Sequence, residues 1–195
     1  MHQQHCPRCP CGRISIRRMS AIRRTRGVTL IELATTLAII TILGTFGLTA
    51  FADTLARQRV QTALHLISAD LAMARNTAIM RRNQVVACPG EALLGCRSDA
   101  DWSQGWIVFT DLDGNRQPDT DADLIRIANA PSGAPASIRL ASTRNFVRYQ
   151  RDGRSAGTNL TINICHKEML AGQVVVNNLG RVRSARPKRE VACPF

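Results

Sequence analysis

The chain has 195 residues and a formal net charge of +12, and this length allows one domain plus a membrane anchor but excludes two full domains. Residues 1–27 contain seven arginines and no acid, so the rest of the chain carries a net charge of only +5. Residues 91–123 hold eight acids and two arginines, whereas residues 139–195 hold eleven basic residues and three acids. We therefore expect an acidic face and a basic face, and the basic face requires an acidic partner or another physical reason.

The first predicted segment is a leader over residues 1–27, for which Met19 is an alternative start. Cys6, Cys9 and Cys11 lie close enough together to suggest a metal-binding knuckle. The segment, however, has no distant second pair of cysteines, which such a metal site needs. We interpret the segment as a leader that is removed and predict no metal site in it.

Residues 28–52 form an apolar run with one charged residue, Glu32. As a helix this run is about 37 Å long, which is enough to cross a hydrocarbon core of about 30 Å. The arginine-rich flank before it predicts that the N-terminal side stays cytoplasmic and that the C-terminal domain lies on the other side of the membrane. The run therefore predicts a single transmembrane helix.

The sequence from Arg26 to Glu32, RGVTLIE, resembles the prepilin peptidase recognition site of type IV pilins and type II secretion pseudopilins. The resemblance implies that prepilin peptidase cleaves after Gly27 and that the new N-terminal residue, Val28, is N-methylated. Val28 stands where the family usually has Phe. A carboxylate in a membrane helix is costly and normally has a partner, and the resemblance implies that Glu32 pairs with the N-terminus of a neighbouring subunit during filament assembly.

After the apolar run, residues 53–82 predict an amphipathic continuation of the same helix, because buried-type residues recur at steps of four and three. Residues 83–195 then change to short runs of β-forming residues separated by turns. This order predicts an α+β fold, with one long helix packed on an antiparallel sheet. The helical stripe comprises Val60, Leu64, Ile67, Leu71, Ala74 and Ala78, and the predicted strands cover 84–88, 106–110, 124–128, 146–150, 160–165 and 173–176.

The segment from Gly105 to Ile127 resembles the GspH/FimT branch of pseudopilins and minor pilins, in which a GW-hydrophobic-F-x-D strand precedes an acidic hairpin. Together with the N-terminal motif, the resemblance covers most of the chain and implies the pilin fold. It leaves open whether the subunit joins a type IV pilus or a type II secretion pseudopilus.

The acidic hairpin offers oxygen ligands of the kind that calcium prefers. An EF-hand loop needs glycine at its sixth position and glutamate at its twelfth, whereas here Gly114 is fourth and Ala122 is twelfth. Asp-Gly-Asn is also an ordinary hairpin turn. We therefore predict a structural turn and no cofactor, with calcium as the less favoured alternative. The possible ligands are Asp111, Asp113, Asn115, Asp119, Asp121 and Asp123.

Four cysteines follow the predicted leader: Cys88, Cys96, Cys165 and Cys193. An even number in an exported domain predicts disulfides, with three connectivities open. Cys88 and Cys96 bracket a short loop, so their pairing is the simplest. Cys165 would then hold Cys193 and attach the C-terminal tail to a strand.

The C-terminal tail is strongly basic. Its GRVR sequence at residues 180–183 resembles the G-R-x-R tail motif of FimT-type minor pilins, which bind DNA during natural transformation. The resemblance makes Arg181 and Arg183 the leading contacts to double-stranded DNA, and in an extended segment both side chains would lie on one face. Further phosphate contacts are predicted from Arg186, Lys188 and Arg189.

Two functions of different classes follow from this pattern. The first is a type IV minor pilin that binds DNA non-specifically for uptake; the alternative is a structural minor pilin or pseudopilin at the filament tip, which primes assembly without binding DNA. Enzymatic activity is not expected. After the leader only His65 and His166 remain, and neither is accompanied by a nucleophile elbow, a P-loop or paired carboxylates.

Overall fold

The computed structural model describes residues 27–129, 138–155, 157 and 159–194, apart from the side chains of residues 46–50. Residues 1–26 of the predicted leader, with Cys6, Cys9 and Cys11, lie outside these ranges. The chain divides into two compact units, residues 1–44 and 45–195.

Helix α1 spans Leu30–Arg81, so the predicted helix over residues 28–82 is confirmed to within two residues at each end. Thr29 caps its start, because the threonine hydroxyl accepts a hydrogen bond of 3.3 Å from the backbone N–H of Glu32. The helix ends where Arg82 enters the left-handed region with φ 53°, which turns the chain out of the helical path.

Within the described residues, we find no helix with a stretch both long and apolar enough to cross a membrane. The transmembrane span predicted over residues 28–52 is therefore not confirmed. That range includes residues 46–50, whose side chains are not described.

The chain after the helix forms two antiparallel sheets. Strands β1 (Val85–Glu91), β2 (Gly95–Cys96), β3 (Gly105–Thr110), β4 (Leu124–Asn129) and β6 (Val147–Tyr149) belong to the first sheet, in the order β2-β1-β3-β4 with β6 also paired to β1. Strands β5 (Arg139–Ser142), β7 (Leu160–His166), β8 (Met169–Val176) and β9 (Val182–Ala185) form the second, in the order β5-β7-β8-β9. The predicted α+β fold is confirmed, whereas β2, β5 and β9 were not among the predicted strands.

The apolar stripe of α1 is the centre of the core. All six predicted stripe residues are buried, and they share one hydrophobic cluster with residues of both sheets. Ile67 and Leu71 are completely buried, and each such side chain contributes about 1.5–3 kcal/mol. One face of α1 therefore packs against both sheets, and Val182 of the edge strand β9 also packs against this cluster.

A buried carboxylate joins α1 to the first sheet. Asp70 is only 6% exposed, and it accepts a hydrogen bond of 2.9 Å from the indole N–H of the fully buried Trp106. Its other oxygen lies 3.4 Å from the Nε of Arg126 on β4. The carboxylate is therefore both hydrogen-bonded and ion-paired, as a buried charge must be.

The acidic segment after β3 forms a hydrogen-bonded turn that is joined to β2. Asp111 is buried and accepts hydrogen bonds from the backbone N–H groups of Gly114 (3.0 Å) and Arg116 (3.4 Å), which closes the turn. Gln117 hydrogen-bonds both backbone groups of Cys96. Strands β1 and β3 also contribute a second, smaller apolar cluster of Val86, Cys88, Ile107 and Phe109.

Candidate nucleic-acid interface

The GRVR sequence begins at the turn between β8 and β9. Gly180 donates a hydrogen bond of 2.8 Å from its backbone N–H to the carbonyl of Asn177, and the Asn177 side chain accepts one of 2.8 Å from the N–H of Arg181. Gly180 has φ +74°, and a Cβ at this position would overlap the carbonyl oxygen of Gly153. Glycine is therefore required here both by backbone conformation and by the close approach of another chain segment.

The same turn is attached to the body of the domain. The carbonyl of Asn178 accepts a hydrogen bond of 3.2 Å from the N–H of Ser155, and the Nε of Arg75 on α1 donates one of 3.0 Å to Gly153. Arg181 thus starts from a backbone that is held near the C-terminal end of α1.

Arg183 lies within β9, the last strand of the second sheet, directly opposite Val175 of β8. Its neighbour Val182 packs against the core, and since side chains alternate along a strand, Arg183 points away from that core. Arg181 and Arg183 are both exposed. Neither guanidinium makes a hydrogen bond or ion pair within the described parts of the chain, so both are available to an external anion.

The remaining predicted contacts lie at the other end of β9. The tail after Ala185 contains the exposed residues Arg186, Lys188 and Arg189. It then returns to the turn between β7 and β8. There the N–H of Leu170 donates to the carbonyl of Val191 at 2.9 Å, and the N–H of Cys193 donates to Glu168 at 2.9 Å.

The two predicted disulfides are confirmed. Cys88 is bonded to Cys96 and Cys165 to Cys193. The second bond joins β7 to the tail, so β9 and the basic residues that follow it form a segment closed at both ends. At about 3.3 Å per residue, Arg181 and Arg186, which lie just before and just after β9, are about 16 Å apart along the strand. The structure therefore divides the five predicted residues into a terminal pair, Arg181 and Arg183, and a second group of three.

Tyr149 is not available for stacking on a base. It is completely buried, and this burial raises the pKa of its phenol well above the ordinary value despite the opposing charge of Arg75. Near the acidic turn, however, the half-buried Phe146 has the guanidinium groups of Arg116 and Arg144 at 5.0 and 5.9 Å from its ring centroid. These distances are typical of cation–π contacts. The sequence analysis missed this cluster, because its residues come from two distant loops.

The possible calcium ligands do not converge in the described structure. No group of three or more His, Cys, Asp or Glu residues there is arranged to hold a metal ion. Asp113 and Asp119 instead accept hydrogen bonds from the Asn115 amide, at 2.7 and 3.3 Å. Asp123 accepts bonds of 2.9 Å from the backbone and hydroxyl of Thr120.

The predicted processing residues lie at the beginning of the described chain. Gly27 and Val28 are exposed and precede α1, so the bond between them lies in non-helical backbone. Glu32 is also exposed and lies in the first turn of the helix.

A long N-terminal helix packed on antiparallel sheets is the α+β fold of the type IV minor pilin and pseudopilin class. A family model described as type II transport protein GspH matches residues 63–180. The chain belongs to this family.

Two solved structures show the same fold. Two crystal structures of the Pseudomonas aeruginosa type IV minor pilin FimU are similar to the chain, with TM-scores of 0.55 and 0.52 and sequence identities of 16% and 15%. The matches cover 69% and 67% of this chain and 94% and 96% of theirs. The minor pseudopilin EpsH from the Vibrio cholerae type 2 secretion system matches at a TM-score of 0.47 and 12% identity, covering 67% of this chain and 99% of that one. No curated protein sequence matches significantly.

Proposed function

We propose that this minor pilin binds double-stranded DNA without strong sequence preference and serves DNA uptake in natural transformation. The observation that carries the proposal is the pair of exposed, unpaired arginines at the start of the edge strand β9, Arg181 and Arg183. Planar guanidinium groups bind two phosphate oxygens at once and keep their charge at all physiological pH values.

The rigidity of the segment supports the proposal. The turn before Arg181 is hydrogen-bonded to Ser155, and the tail after β9 is held by the Cys165–Cys193 disulfide. Side chains on an ordered strand lose less conformational entropy on binding than those of a free tail. Lys188 and Arg189 extend the positive charge along the same segment and add non-specific phosphate contacts.

We also propose how the subunit is processed and reaches the filament. Prepilin peptidase cleaves after Gly27, and Val28 becomes the methylated N-terminus. Residues 28–52 anchor the chain in the inner membrane with its globular domain in the periplasm, and other pilin subunits then incorporate it into the filament. The exposed, non-helical backbone at Gly27 and Val28 is favourable for cleavage.

The alternative is a purely structural subunit at the filament tip that primes pilus or pseudopilus assembly. Charged residues on an edge strand also prevent unwanted strand pairing between molecules, and this role requires no DNA. The FimU structures share the fold and carry the name of a minor pilin, which fits either function.

The test is a titration of the full chain in non-ionic detergent with double-stranded DNA at several salt concentrations. We expect weak binding whose log K falls with log salt by about 0.9 for each phosphate contact. Arg181→Ala with Arg183→Ala should weaken binding to all sequences alike and reduce the salt slope by about 1 for each lost contact.

Arg116→Ala with Arg144→Ala is the matched control, because it removes the same charge from the cluster around Phe146. This control should retain most of the affinity. An equal loss in both double variants, or no salt-dependent binding by the unmodified chain, would favour the structural function instead.

A further inference from the structure

A second basic site lies at the opposite end of the second sheet, where the turn between β7 and β8 meets α1. A cavity of about 380 Å³ that opens to solvent lies there, and residues of three separate segments line it. The polar side chains that line it are Asp53 and Arg57 of α1, His166 at the end of β7, Lys167 of the turn, and Arg186 of the tail.

The charges in this cavity are unbalanced. Asp53 is 3.6 Å from the ammonium group of Lys167 and compensates that one cation. Arg57 donates only a long hydrogen bond of 3.5 Å to the hydroxyl of Thr54, and Arg186 has no hydrogen-bond or ion-pair partner within the described chain. Two guanidinium groups from different segments therefore face one cavity, which suits an anion with several oxygen atoms.

The walls of the cavity are held in place. Lys167 and Glu168 form the two-residue turn between β7 and β8 with φ values of 49° and 62°, a conformation that costs non-glycine residues about 1–2 kcal/mol each. The Cys165–Cys193 disulfide and the hydrogen bond from Cys193 to Glu168 join this turn to the tail that carries Arg186. Positive φ at both central residues is the geometry of a type I′ hairpin turn, and these links hold the turn and the tail together at the wall of the cavity.

The position of the cavity along the chain indicates which anion it takes. Asp53 is the first residue after the proposed membrane span, and at 1.5 Å per residue Arg57 lies about 7 Å beyond the end of that span. The headgroup layer on each side of the hydrocarbon core is about 5–8 Å thick. The cavity would thus lie at the depth of the lipid phosphates.

We infer that Arg57, Lys167 and Arg186 bind the phosphate group of an anionic phospholipid and hold the globular domain against the membrane before it enters the filament. The inference rests on the membrane anchor of the proposed function but not on DNA binding, because Arg181 and Arg183 lie at the other end of β9. Arg186 is assigned to the lipid, and the terminal pair to DNA.

The test measures retention of phosphatidylglycerol by the full chain in non-ionic detergent, by native mass spectrometry over a lipid titration. Arg57→Gln with Arg186→Gln should lower the apparent affinity about tenfold or more, since each substitution removes a charged hydrogen-bond donor. Arg181→Gln with Arg183→Gln removes the same charge and should leave lipid retention within about twofold of the unmodified chain.

Duplex DNA and inorganic phosphate are the other two arms of the experiment. The expected pattern is that the first double variant loses lipid but keeps DNA binding, and that the second does the reverse. An equal loss of lipid affinity in both double variants would overturn the inference. So would a loss of DNA affinity without a loss of lipid affinity in Arg57→Gln with Arg186→Gln. So would binding of inorganic phosphate without retention of phosphatidylglycerol. If the second variant keeps its DNA affinity, the DNA function fails while the lipid result stands separately.

Discussion

Tyr149 lies completely buried on β6, and its hydroxyl group has no hydrogen-bond partner among the described residues. A buried hydroxyl without a partner costs about 1–3 kcal/mol. Burial also raises the pKa of the phenol, so the folded state keeps a proton at alkaline pH that the unfolded chain releases.

We therefore predict two effects of Tyr149→Phe. At neutral pH the unfolding free energy should stay the same or rise by up to about 1–3 kcal/mol. Above the ordinary tyrosine pKa of about 10, the unmodified protein should lose up to about 1.4 kcal/mol per pH unit more than the variant, because only its unfolded state releases the phenol proton there.

Denaturant unfolding at several pH values measures both effects. The chain contains a single tyrosine, so tyrosinate absorbance follows this phenol directly in the native protein. A native protein that titrates near the ordinary pKa, or a variant with the same alkaline slope as the unmodified chain, would contradict the prediction.

The burial of single residues was predictable where the sequence follows the regular spacing of one helix face. The stripe from Val60 to Ala78 follows helical spacing, and each of its residues is buried as predicted. Asp70 lies on the same helix but could not be identified as buried, because its partners Trp106 and Arg126 come from strands far along the chain. The cluster of Arg116 and Arg144 around Phe146 was missed for the same reason.

At the scale of elements, the strands with strong β-forming runs were predictable, and the others depend on their neighbours. Strand β2 has only two residues and exists because Cys96 pairs with Gly90 across the disulfide-closed turn. Strand β9 contains arginine, serine and alanine, so its own preference is weak. Its ladder with β8, from Val176–Val182 to Gln173–Ala185, supplies the order that its sequence lacks.

The turn that precedes β9 yields a prediction about Gly180. Gly180 and Gly114 both have positive φ, 74° and 83°, but a Cβ on Gly180 would overlap the carbonyl of Gly153, whereas a Cβ on Gly114 meets no atom within 4 Å. Gly114→Ala should cost about 1–2 kcal/mol from backbone conformation alone. Gly180→Ala should cost that plus about 1–3 kcal/mol for the displaced backbone.

Thermal or denaturant unfolding of the two variants measures the difference. Because Arg181 follows the displaced residue directly, Gly180→Ala should also weaken DNA binding more than Gly114→Ala does. Equal destabilisation by both substitutions would show that the approach to Gly153 does not constrain the turn.

For the whole molecule, the sequence established the class because the peptidase motif, the acidic hairpin and the paired cysteines lie in a fixed order along the chain. It could not show how the basic residues are distributed. All five cations within residues 181–189 were predicted to contact DNA, with Arg181 and Arg183 as the leading pair. The strand geometry instead places Arg181 and Arg186 about 16 Å apart. Their separation follows from the pairing of β9 with β8, which is a long-range property of the fold.

Glu32 provides the last prediction, because it has two physical roles that can be separated. In the structure it lies in the first turn of α1, with its backbone N–H bonded to the Thr29 hydroxyl. A glutamate three residues after a capping threonine favours helix initiation, and glutamine serves equally well there. The proposed pairing with a neighbouring subunit's N-terminus instead requires the negative charge.

Glu32→Gln should therefore leave cleavage after Gly27 and the stability of the globular domain unchanged but greatly reduce incorporation into filaments. Thr29→Ala is the matched control, since it weakens the helix cap by about 1 kcal/mol and keeps the charge, and it should assemble nearly normally. Mass spectrometry of the N-terminus follows processing, and co-sedimentation with sheared filaments from the source organism follows assembly. If Glu32→Gln assembles as well as the unmodified chain, the carboxylate acts only within its own helix.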